Sequence, residues 1–296
     1  MKLSDPTRGL SGTPLEQVSL EDQTLGGYRK FWERSASVDA IGAIADQETV
    51  TSFEVSGKVD AEALVAMLPD PDAVVLEIGC GTGRVMQHLS GFYREVHGID
   101  ISSEMVKQGE RRLGHLPNVH FHHGNGYDLE PFADGSFHLV YSAFVFQHMP
   151  KTTVYNYFLE TMRVLRHGGL FRFQVPNLLN EAHFAEFNHF AQPWFVEHPY
   201  PMYFWTPAEV VWLLTRAGFW VEELDQEMVI KARRTGSAGA PAELLERTLG
   251  APPEHGRSSG RIPELRRKAD RHRRNPVVRL AVAARRAIRH GRRPAG

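Results

Sequence analysis

The stretch Val74–Arg84, Val-Val-Leu-Glu-Ile-Gly-Cys-Gly-Thr-Gly-Arg, decides the fold of this 296-residue chain. A short apolar run ends near an acidic residue, three glycines follow at alternate positions, and a helical pattern comes next. Glycine adopts positive φ without steric cost and lets the backbone approach a ligand closely. The stretch therefore predicts a strand that leads into a tight, ligand-binding turn.

A second predicted strand ends in a carboxylate at Asp100, 21 positions beyond Gly79. In nucleotide-binding α/β folds, an acidic residue at about this distance binds a ribose diol. A carboxylate suits a vicinal diol because its two oxygens accept from two hydroxyls. The two strand ends together predict a ligand that contains a nucleoside.

Strand and helix patterns alternate through the rest of the chain, and short apolar strands separated by helices predict a parallel sheet covered on both faces. The last two strands are joined too tightly for a crossover, so the last should run antiparallel to its neighbours. The predicted fold is α/β: a Rossmann-like, doubly wound, seven-stranded and mostly parallel sheet. Predicted strands are 74–78, 95–99, 118–122, 137–142, 169–175, 219–224 and 228–233, and predicted helices are 83–90, 103–113, 151–166 and 207–217.

Composition divides the chain into four segments: a flexible leader at 1–25, an N-terminal helical cap at 26–72, the α/β domain at 73–234, and a linker with a basic amphipathic tail at 235–296. No apolar run approaches the ~20 residues of a membrane span, and the start lacks a signal-peptide core. These features predict a cytoplasmic protein.

The net charge of −1 hides a strong asymmetry. Residues 235–296 hold 15 Lys and Arg against 5 Asp and Glu, whereas residues 1–234 hold 19 against 30. Phosphate contacts dominate nucleic-acid affinity, so an acidic body argues against nucleic acid as the main partner. The basic stretch 261–296 is compatible with peripheral contact to an anionic membrane, and equally with a solvated tail that has no function.

The order of these elements resembles the class I S-adenosylmethionine-dependent methyltransferases. The resemblance covers about 72–233 and implies S-adenosylmethionine as cofactor. It rests on five sequence blocks in the right order and spacing: Val75–Arg84, Ile99-Asp100, Gly124–Asp128, Phe137–Ser142 and Leu165–Leu170.

The resemblance also implies which residues bind the cofactor. Its methionine portion would lie along the glycine turn, with Glu77 placed to receive the ammonium group directly or through water. Asp100 would bind the ribose, and the Asn125 amide would recognise the adenine amine. N-terminal helices close over the cofactor in relatives, so Phe31, Trp32 and Phe53 are candidate pocket residues, or ordinary packing residues. The full predicted cofactor set is Glu77, Gly79, Gly81, Gly83, Asp100, Ile101, Met105, Asn125, Gly126 and Ser142.

A dinucleotide-binding dehydrogenase is the competing interpretation of the glycine turn. Its fingerprint needs glycine or alanine at the third glycine position, where the helix packs on the strand. This chain has Arg84 there. The dehydrogenase fingerprint also leaves the antiparallel closing pair and the block at Gly124–Asp128 unexplained.

The catalytic candidate is His148, which follows the fourth strand at the edge of the sheet where this fold binds its acceptor. A hydroxyl acceptor usually needs a base, whereas an amine needs only to arrive neutral. His148 is therefore either that base or a structural brace for the loop. No metal site is expected, because Phe144 and Gln147 stand where metal-dependent relatives place carboxylates.

An insertion over 176–207 is rich in aromatic residues and contains His183, His189 and His198. Such a composition suits a wall or lid over an acceptor pocket, and also a small satellite core under a long loop. The histidine spacing does not match a compact zinc motif. Aromatic walls fit both sugar rings and flat aromatic substrates.

The predicted function is methyl transfer to a small-molecule or glycan-type acceptor, with oxygen favoured. Three alternatives stay open at this stage. They are N-methylation of a small molecule, methylation of a lipid-linked glycan by a peripheral membrane enzyme, and a non-catalytic module that binds S-adenosylmethionine.

Overall fold

A seven-stranded sheet forms the centre of the part of the chain that the computed structural model describes, residues 29–37, 50–190 and 202–249. The strand order is β3-β2-β1-β4-β5-β7-β6, and β7 runs antiparallel to both of its neighbours. This arrangement confirms the predicted mostly parallel sheet with an antiparallel last strand. The strands are β1 (Val74–Ile78), β2 (Glu95–Asp100), β3 (Val119–His123), β4 (Phe137–Ser142), β5 (Leu165–Gln174), β6 (Phe219–Leu224) and β7 (Val229–Arg234).

Helices cover both faces of this sheet, as predicted. Successive side chains of a strand point to opposite faces; accordingly, Leu76 packs in one core cluster with Phe158 of α5, and Val75 packs in the other with Leu64 of α2. The helices are α1 (29–37), α2 (Val50–Met67), α3 (Met86–Leu89), α4 (Ser103–Leu113), α5 (Lys151–Val164), α6 (Glu181–Phe190), α7 (Pro207–Ala217) and α8 (Ala242–Leu249).

Helix α7 shows how local sequence sets a boundary, and its predicted range of 207–217 is confirmed. The Thr206 side chain accepts from the Glu209 backbone N–H while the Glu209 carboxylate accepts from the Thr206 N–H, which forms a capping box. Gly218 ends the helix in the left-handed conformation, at φ +107°.

Two predicted boundaries were wrong. The helix predicted at 83–90 begins only at Met86, because Gly83 has a φ of +83° that an α-helix excludes. The helix predicted to reach residue 166 ends at Val164, and β5 begins at Leu165, opposite Phe137. The register between β4 and β5 shifts between Phe137 and Leu139, and Gly168 on β5 has a φ of +78°. This irregularity explains why the sequence pattern predicted a strand that starts only at residue 169.

Packing also continues past residue 234, where a linker was predicted. The Gly239 N–H donates to the Phe219 carbonyl, and the Val221 N–H donates to the Gly239 carbonyl, so this segment is held against β6. Ala240 and Leu244 are buried, and the latter belongs to α8. The leader at 1–25 and the tail at 261–296 lie outside the described residues. None of the helices described is both long enough and apolar enough to cross a membrane.

Gly83 is required by the core as well as by the turn. A Cβ atom there would lie 2.7 Å from Leu113 Cδ1 and 2.8 Å from Phe121 Cζ, so α4 and β3 fill the space that a side chain would need. Gly168 has nearly the same φ, but a Cβ there would meet nothing within 4 Å. The two glycines therefore separate the backbone cost of a substitution from its packing cost.

We expect Gly83→Ala to lower the free energy of unfolding by about 2–4 kcal/mol, the sum of the left-handed backbone cost and the clash with the core. Gly168→Ala, the matched control, should lower it by only about 1 kcal/mol, since only the backbone cost remains. Urea denaturation of the two variants measures the difference. Equal losses would show that packing around Gly83 contributes nothing.

Candidate cofactor and acceptor site

The glycine turn joins the carboxyl ends of β1 and β2. The N–H groups of Gly79 and Cys80 both donate to the Ile99 carbonyl, at 2.8 and 3.2 Å. The Gly81 N–H donates to Asp100 Oδ2 at 2.8 Å. Gly79 and Gly81 have φ values of +73° and +51°, which favour glycine. The two strand ends that were predicted to share a ligand therefore lie side by side.

Asp100 holds two backbone segments at once. Its Oδ2 accepts from the Gly81 N–H and its Oδ1 accepts from the Ser102 N–H at 2.9 Å. Burial raises the pKa of Asp100 above its ordinary value, and the two backbone hydrogen bonds oppose that shift. Asp100 is intermediate in exposure and lies at the carboxyl end of β2.

Glu77 is a buried carboxyl group at the carboxyl end of β1. The Tyr141 hydroxyl donates to Glu77 Oε2 at 2.8 Å. Burial raises the pKa of Glu77 to about 8, against the opposing effects of that hydrogen bond and of the Arg84 charge. Ionisation of such a group is strongly favoured by a cationic partner, so the site chemistry fits a ligand ammonium.

Arg84 is buried and belongs to the contact between the turn and α2. Its guanidinium forms an ion pair with Asp60 at 2.7 Å and donates to Ser56 Oγ at 3.1 Å. The α2 backbone comes so close that a Cβ at Gly57 would lie 2.4 Å from the Arg84 carbonyl oxygen. The side chain that departs from the dehydrogenase pattern therefore anchors the N-terminal cap.

The residues predicted around adenine come together beside Asp100. Gly126 has a φ of +78°, and a Cβ there would lie 2.3 Å from Ile101 Cδ1. Met105 is buried in the first turn of α4, which begins at the Ser102 cap. This grouping joins the loop after β3 to the loop after β2.

Two predicted cofactor residues make hydrogen bonds within the protein. Asn125 Oδ1 accepts from the N–H groups of Tyr127 and Asp128, and Asn125 Nδ2 donates to Asp128 Oδ1 at 2.7 Å. The Ser142 hydroxyl donates to the Ile78 carbonyl across β4 and β1. Both side chains thus shape the walls of the site, and their contact with the cofactor stays a prediction.

Helix α1 docks beside the cofactor residues through Glu33, which the sequence analysis missed. Its carboxylate accepts from Ser102 Oγ and from the N–H groups of Ser103 and Glu104, at 2.7–3.0 Å. Burial opposes ionisation, but these donors hold the pKa of Glu33 below its ordinary value. The first N–H groups of a helix have no acceptor within the helix, so α4 needs one from elsewhere in the chain. That requirement is the signal from which an acceptor such as Glu33 could have been predicted. The Gln108 amide also donates to the Ala36 carbonyl at 2.9 Å.

His148 lies in a 3₁₀ turn, Phe146–His148, directly after β4. The Trp32 ring of α1 packs edge-on against its imidazole, with centroids 5.4 Å apart, and Gln147 Nε2 lies 3.2 Å from His148 Nε2. Burial lowers the pKa of His148 to about 4. The imidazole is therefore neutral at pH 7.

The insertion contributes both to a wall and to the core. The Tyr203 N–H donates to the Gln147 carbonyl at 2.7 Å, which ties the insertion to the His148 turn. Trp205 is fully buried beneath the Lys151 ammonium, so this residue fits the alternative of a satellite core. His183 Nδ1 accepts from the Asn177 N–H. Among the other aromatic residues of the 176–207 insertion, Phe184 and Phe187 are stacked and exposed. Several further aromatic and histidine residues of the insertion lie outside the described residues: the His189 side chain, Trp194, Phe195, His198 and Tyr200.

Sequence comparison relates this chain to known methyltransferases. Residues 75–169 match a family model described as a methyltransferase domain. O-methyltransferase cnsE of Penicillium expansum is 30% identical over 183 residues, which cover 57% of this chain and 60% of that protein. Phosphoethanolamine N-methyltransferase 1 of Caenorhabditis elegans is 24% identical over 162 residues, which cover 52% and 34%. The chain spans less than two thirds of the length of either relative.

A solved structure supports the fold assignment. Magnesium protoporphyrin IX methyltransferase from Synechocystis PCC 6803, solved with bound S-adenosylhomocysteine, superposes with a TM-score of 0.56 at 17% identity. The superposition covers 72% of this chain and all of that one. The matched domain, the strand order and the turn at the end of β1 agree: residues 75–169 are a methyltransferase domain, and the described fold is the Rossmann-like fold of S-adenosylmethionine-dependent methyltransferases.

Proposed function

We propose that this chain transfers a methyl group from S-adenosylmethionine to an oxygen atom of a small-molecule or glycan-type acceptor. The observation that carries the proposal is the neutral imidazole of His148, packed against Trp32 at the carboxyl edge of β4. In this fold the acceptor lies at that edge, next to the cofactor.

The cofactor end of the proposed site consists of two acidic groups and the glycine turn. Asp100 accepts the ribose hydroxyls, and Glu77 receives the ammonium group. Gly79 and Gly81 adopt the positive φ angles of the turn along which the methionine portion would lie, and a Cβ at Gly79 would come within 2.3 Å of Val145 Cγ2. When bound, S-adenosylmethionine supplies a methyl group that its sulfonium has already activated. The protein therefore needs chiefly to align the acceptor and exclude water.

Helix α1 provides the exclusion of water in this proposal. Glu33 accepts from the N–H groups of Ser103 and Glu104, three and four positions after Asp100, and so fixes α1 on the N-terminus of α4. Trp32 of the same helix packs against the imidazole of His148. One short helix thus contacts both the ribose side and the acceptor side. Closure of a segment over reactants is a common way to desolvate a transfer reaction.

His148 accepts the hydrogen of the acceptor hydroxyl and directs an oxygen lone pair toward the methyl group. Its low pKa ensures that the imidazole can accept a hydrogen bond at every physiological pH. The same low pKa makes the imidazole a weak base, so it first only orients the hydroxyl. It takes the proton as the new carbon–oxygen bond forms. The absence of a catalytic metal ion stays a prediction from sequence.

One relative supports oxygen as the acceptor atom, and another keeps nitrogen as the second candidate. The fungal relative named as an O-methyltransferase matches more of this chain than the nematode relative named as a phosphoethanolamine N-methyltransferase. An amine acceptor needs no proton acceptor once it is neutral. The contribution of His148 therefore distinguishes the two reactions. The lipid-linked glycan, the role of 261–296, the cytoplasmic location and the non-catalytic module stay predictions.

We expect Asp100→Ala to weaken S-adenosylhomocysteine binding at least tenfold, because the variant loses the acceptor for both ribose hydroxyls and releases the Gly81 N–H. Isothermal titration calorimetry measures the affinity. Asp72→Ala, in an exposed loop, is the matched control and should bind as the wild type does. Wild-type affinity in Asp100→Ala would refute the assigned site.

We expect Glu33→Ala to detach α1, because three donors at the N-terminus of α4 lose a charged acceptor. Hydrogen exchange of the backbone amides of residues 29–37 should speed up tenfold or more, and S-adenosylhomocysteine should dissociate several-fold faster. Lys30→Ala, at an exposed position of the same helix, is the control. Faster exchange with an unchanged dissociation rate would show that α1 docks but does not cover the cofactor.

We expect His148→Ala to lower kcat by 10²-fold or more while S-adenosylhomocysteine affinity changes less than twofold. The assay uses radiolabelled S-adenosylmethionine, first in a screen of sugars, phenols and amines as acceptors. With a hydroxyl acceptor, wild-type kcat should stay level from pH 8 to about 5 and fall as His148 becomes protonated near pH 4. Full activity in His148→Ala, or a rate that rises with pH as an amine deprotonates, would favour N-methylation.

A further inference from the structure

A cluster of metal-ligating side chains lies on the edge of the sheet, outside the site described above. Strands β2 and β3 pair in parallel with His97 opposite His120 and Ile99 opposite His122. Because side chains alternate along a strand, Glu95, His97, His120 and His122 all project from the same face. None of the four takes part in the proposed methyl transfer.

The ring nitrogens and the carboxylate of this cluster lie close together. His97 Nε2 lies 3.2 Å from Glu95 Oε2, and His97 Nδ1 lies 3.0 Å from His122 Nε2. Glu95, His97 and His120 each offer one ligand atom, and these atoms lie within 4.8 Å of one another. Among the residues that the structure describes, this is the group of three or more His, Cys, Asp or Glu side chains that meets that spacing.

We propose that Glu95, His97 and His120 bind a divalent transition-metal ion of the Zn²⁺ class, with solvent as the fourth ligand. Two imidazoles and one carboxylate are a common three-ligand set for zinc. Zinc bound at about 2.1 Å holds tetrahedral ligand atoms about 3.4 Å apart. The Glu95–His97 pair is close to that separation at 3.2 Å, and the ligand atom of His120 lies within 4.8 Å of both.

His122 supports the site because it contacts His97 Nδ1, the ring nitrogen that does not face Glu95. A metal-bound histidine usually donates its other ring N–H to a neighbouring acceptor, which fixes its tautomer and orientation. The 3.0 Å contact with His122 supplies such an acceptor for His97 Nδ1, and leaves Nε2 directed toward Glu95. His122 is thus a positioning residue.

An apolar floor completes the surroundings. The rings of Phe132 and Phe137 lie edge-on to His97, with centroids 6.1 and 5.5 Å away, and Phe132 also packs on His122. This burial lowers the pKa of His97 and lowers the pKa of His122 to about 4. Glu95 is 44% exposed and leaves the fourth position open to water.

The site has a structural consequence that is independent of methyl transfer. Strand β3 is the edge strand of the sheet, and it leads directly into the loop that contains Gly124 and Asn125. An ion shared by β2 and β3 links that edge strand to its neighbour by bonds stronger than the backbone ladder alone. Loss of the ion would leave the sheet order unchanged and loosen its edge.

The test is titration of the chelator-treated full-length protein with Zn²⁺, followed by calorimetry, and with Co²⁺, followed by its visible spectrum. We expect one tight site with a tetrahedral Co²⁺ spectrum and a higher melting temperature in the presence of Zn²⁺. Glu95→Gln, His97→Ala and His120→Gln should each weaken binding tenfold or more, and His122→Phe should weaken it 10- to 100-fold. His115→Ala, an exposed histidine near β3, should bind as the wild type does, and Mg²⁺ should not bind.

Equal Zn²⁺ affinity in the wild type, Glu95→Gln and His120→Gln would overturn the proposal, as would the absence of a tight site in the wild type. Glu95→Gln keeps the size of the side chain and lies at an exposed position, so its result does not depend on whether the histidine variants fold. Binding of S-adenosylhomocysteine, measured on the same samples, reports separately on the proposed function.

Discussion

The carboxylate of Asp100 is the constraint on which the site depends. Its two oxygens accept from the Gly81 and Ser102 N–H groups, and so hold the turn after β1 against the start of α4. Glu33 accepts from the next N–H groups of the same helix, which adds α1 to the assembly. Two carboxylates therefore fix three chain segments through backbone donors.

The same hydrogen bonds explain why this turn suits a cationic ligand and not a pyrophosphate. A dinucleotide-binding turn directs backbone N–H groups at phosphate oxygens. Here the Gly79 and Cys80 N–H groups donate to the Ile99 carbonyl and the Gly81 N–H donates to Asp100, so these donors are engaged within the protein. Arg84, the cation whose charge acts on Glu77, is paired with Asp60. The acidic groups that remain favour a ligand with a sulfonium and an ammonium group.

The sequence predicted the sheet and brought the cofactor residues to one edge, because apolar runs, glycines and strand-end carboxylates are local signals. It failed where a residue's role depends on distant packing. The sequence left Trp205 between an acceptor wall and a satellite core, and only the fold shows that it is buried beneath Lys151. Glu33 caps a helix that begins 70 residues later. The pairing of His97 with His120 follows from strand register, which neither strand shows by itself.

The acceptor end of the site draws on different parts of the chain from the cofactor end. The family match covers 75–169, which includes the glycine turn, Asp100 and the His148 turn. Trp32 and Tyr203, which contact that turn from α1 and from the insertion, lie outside the match. Relatives that match 75–169 therefore share the segment that is predicted to bind the methyl donor. Under the proposed function, acceptor choice depends on Trp32 and on the segment at Tyr203, which contact the His148 turn from outside that match.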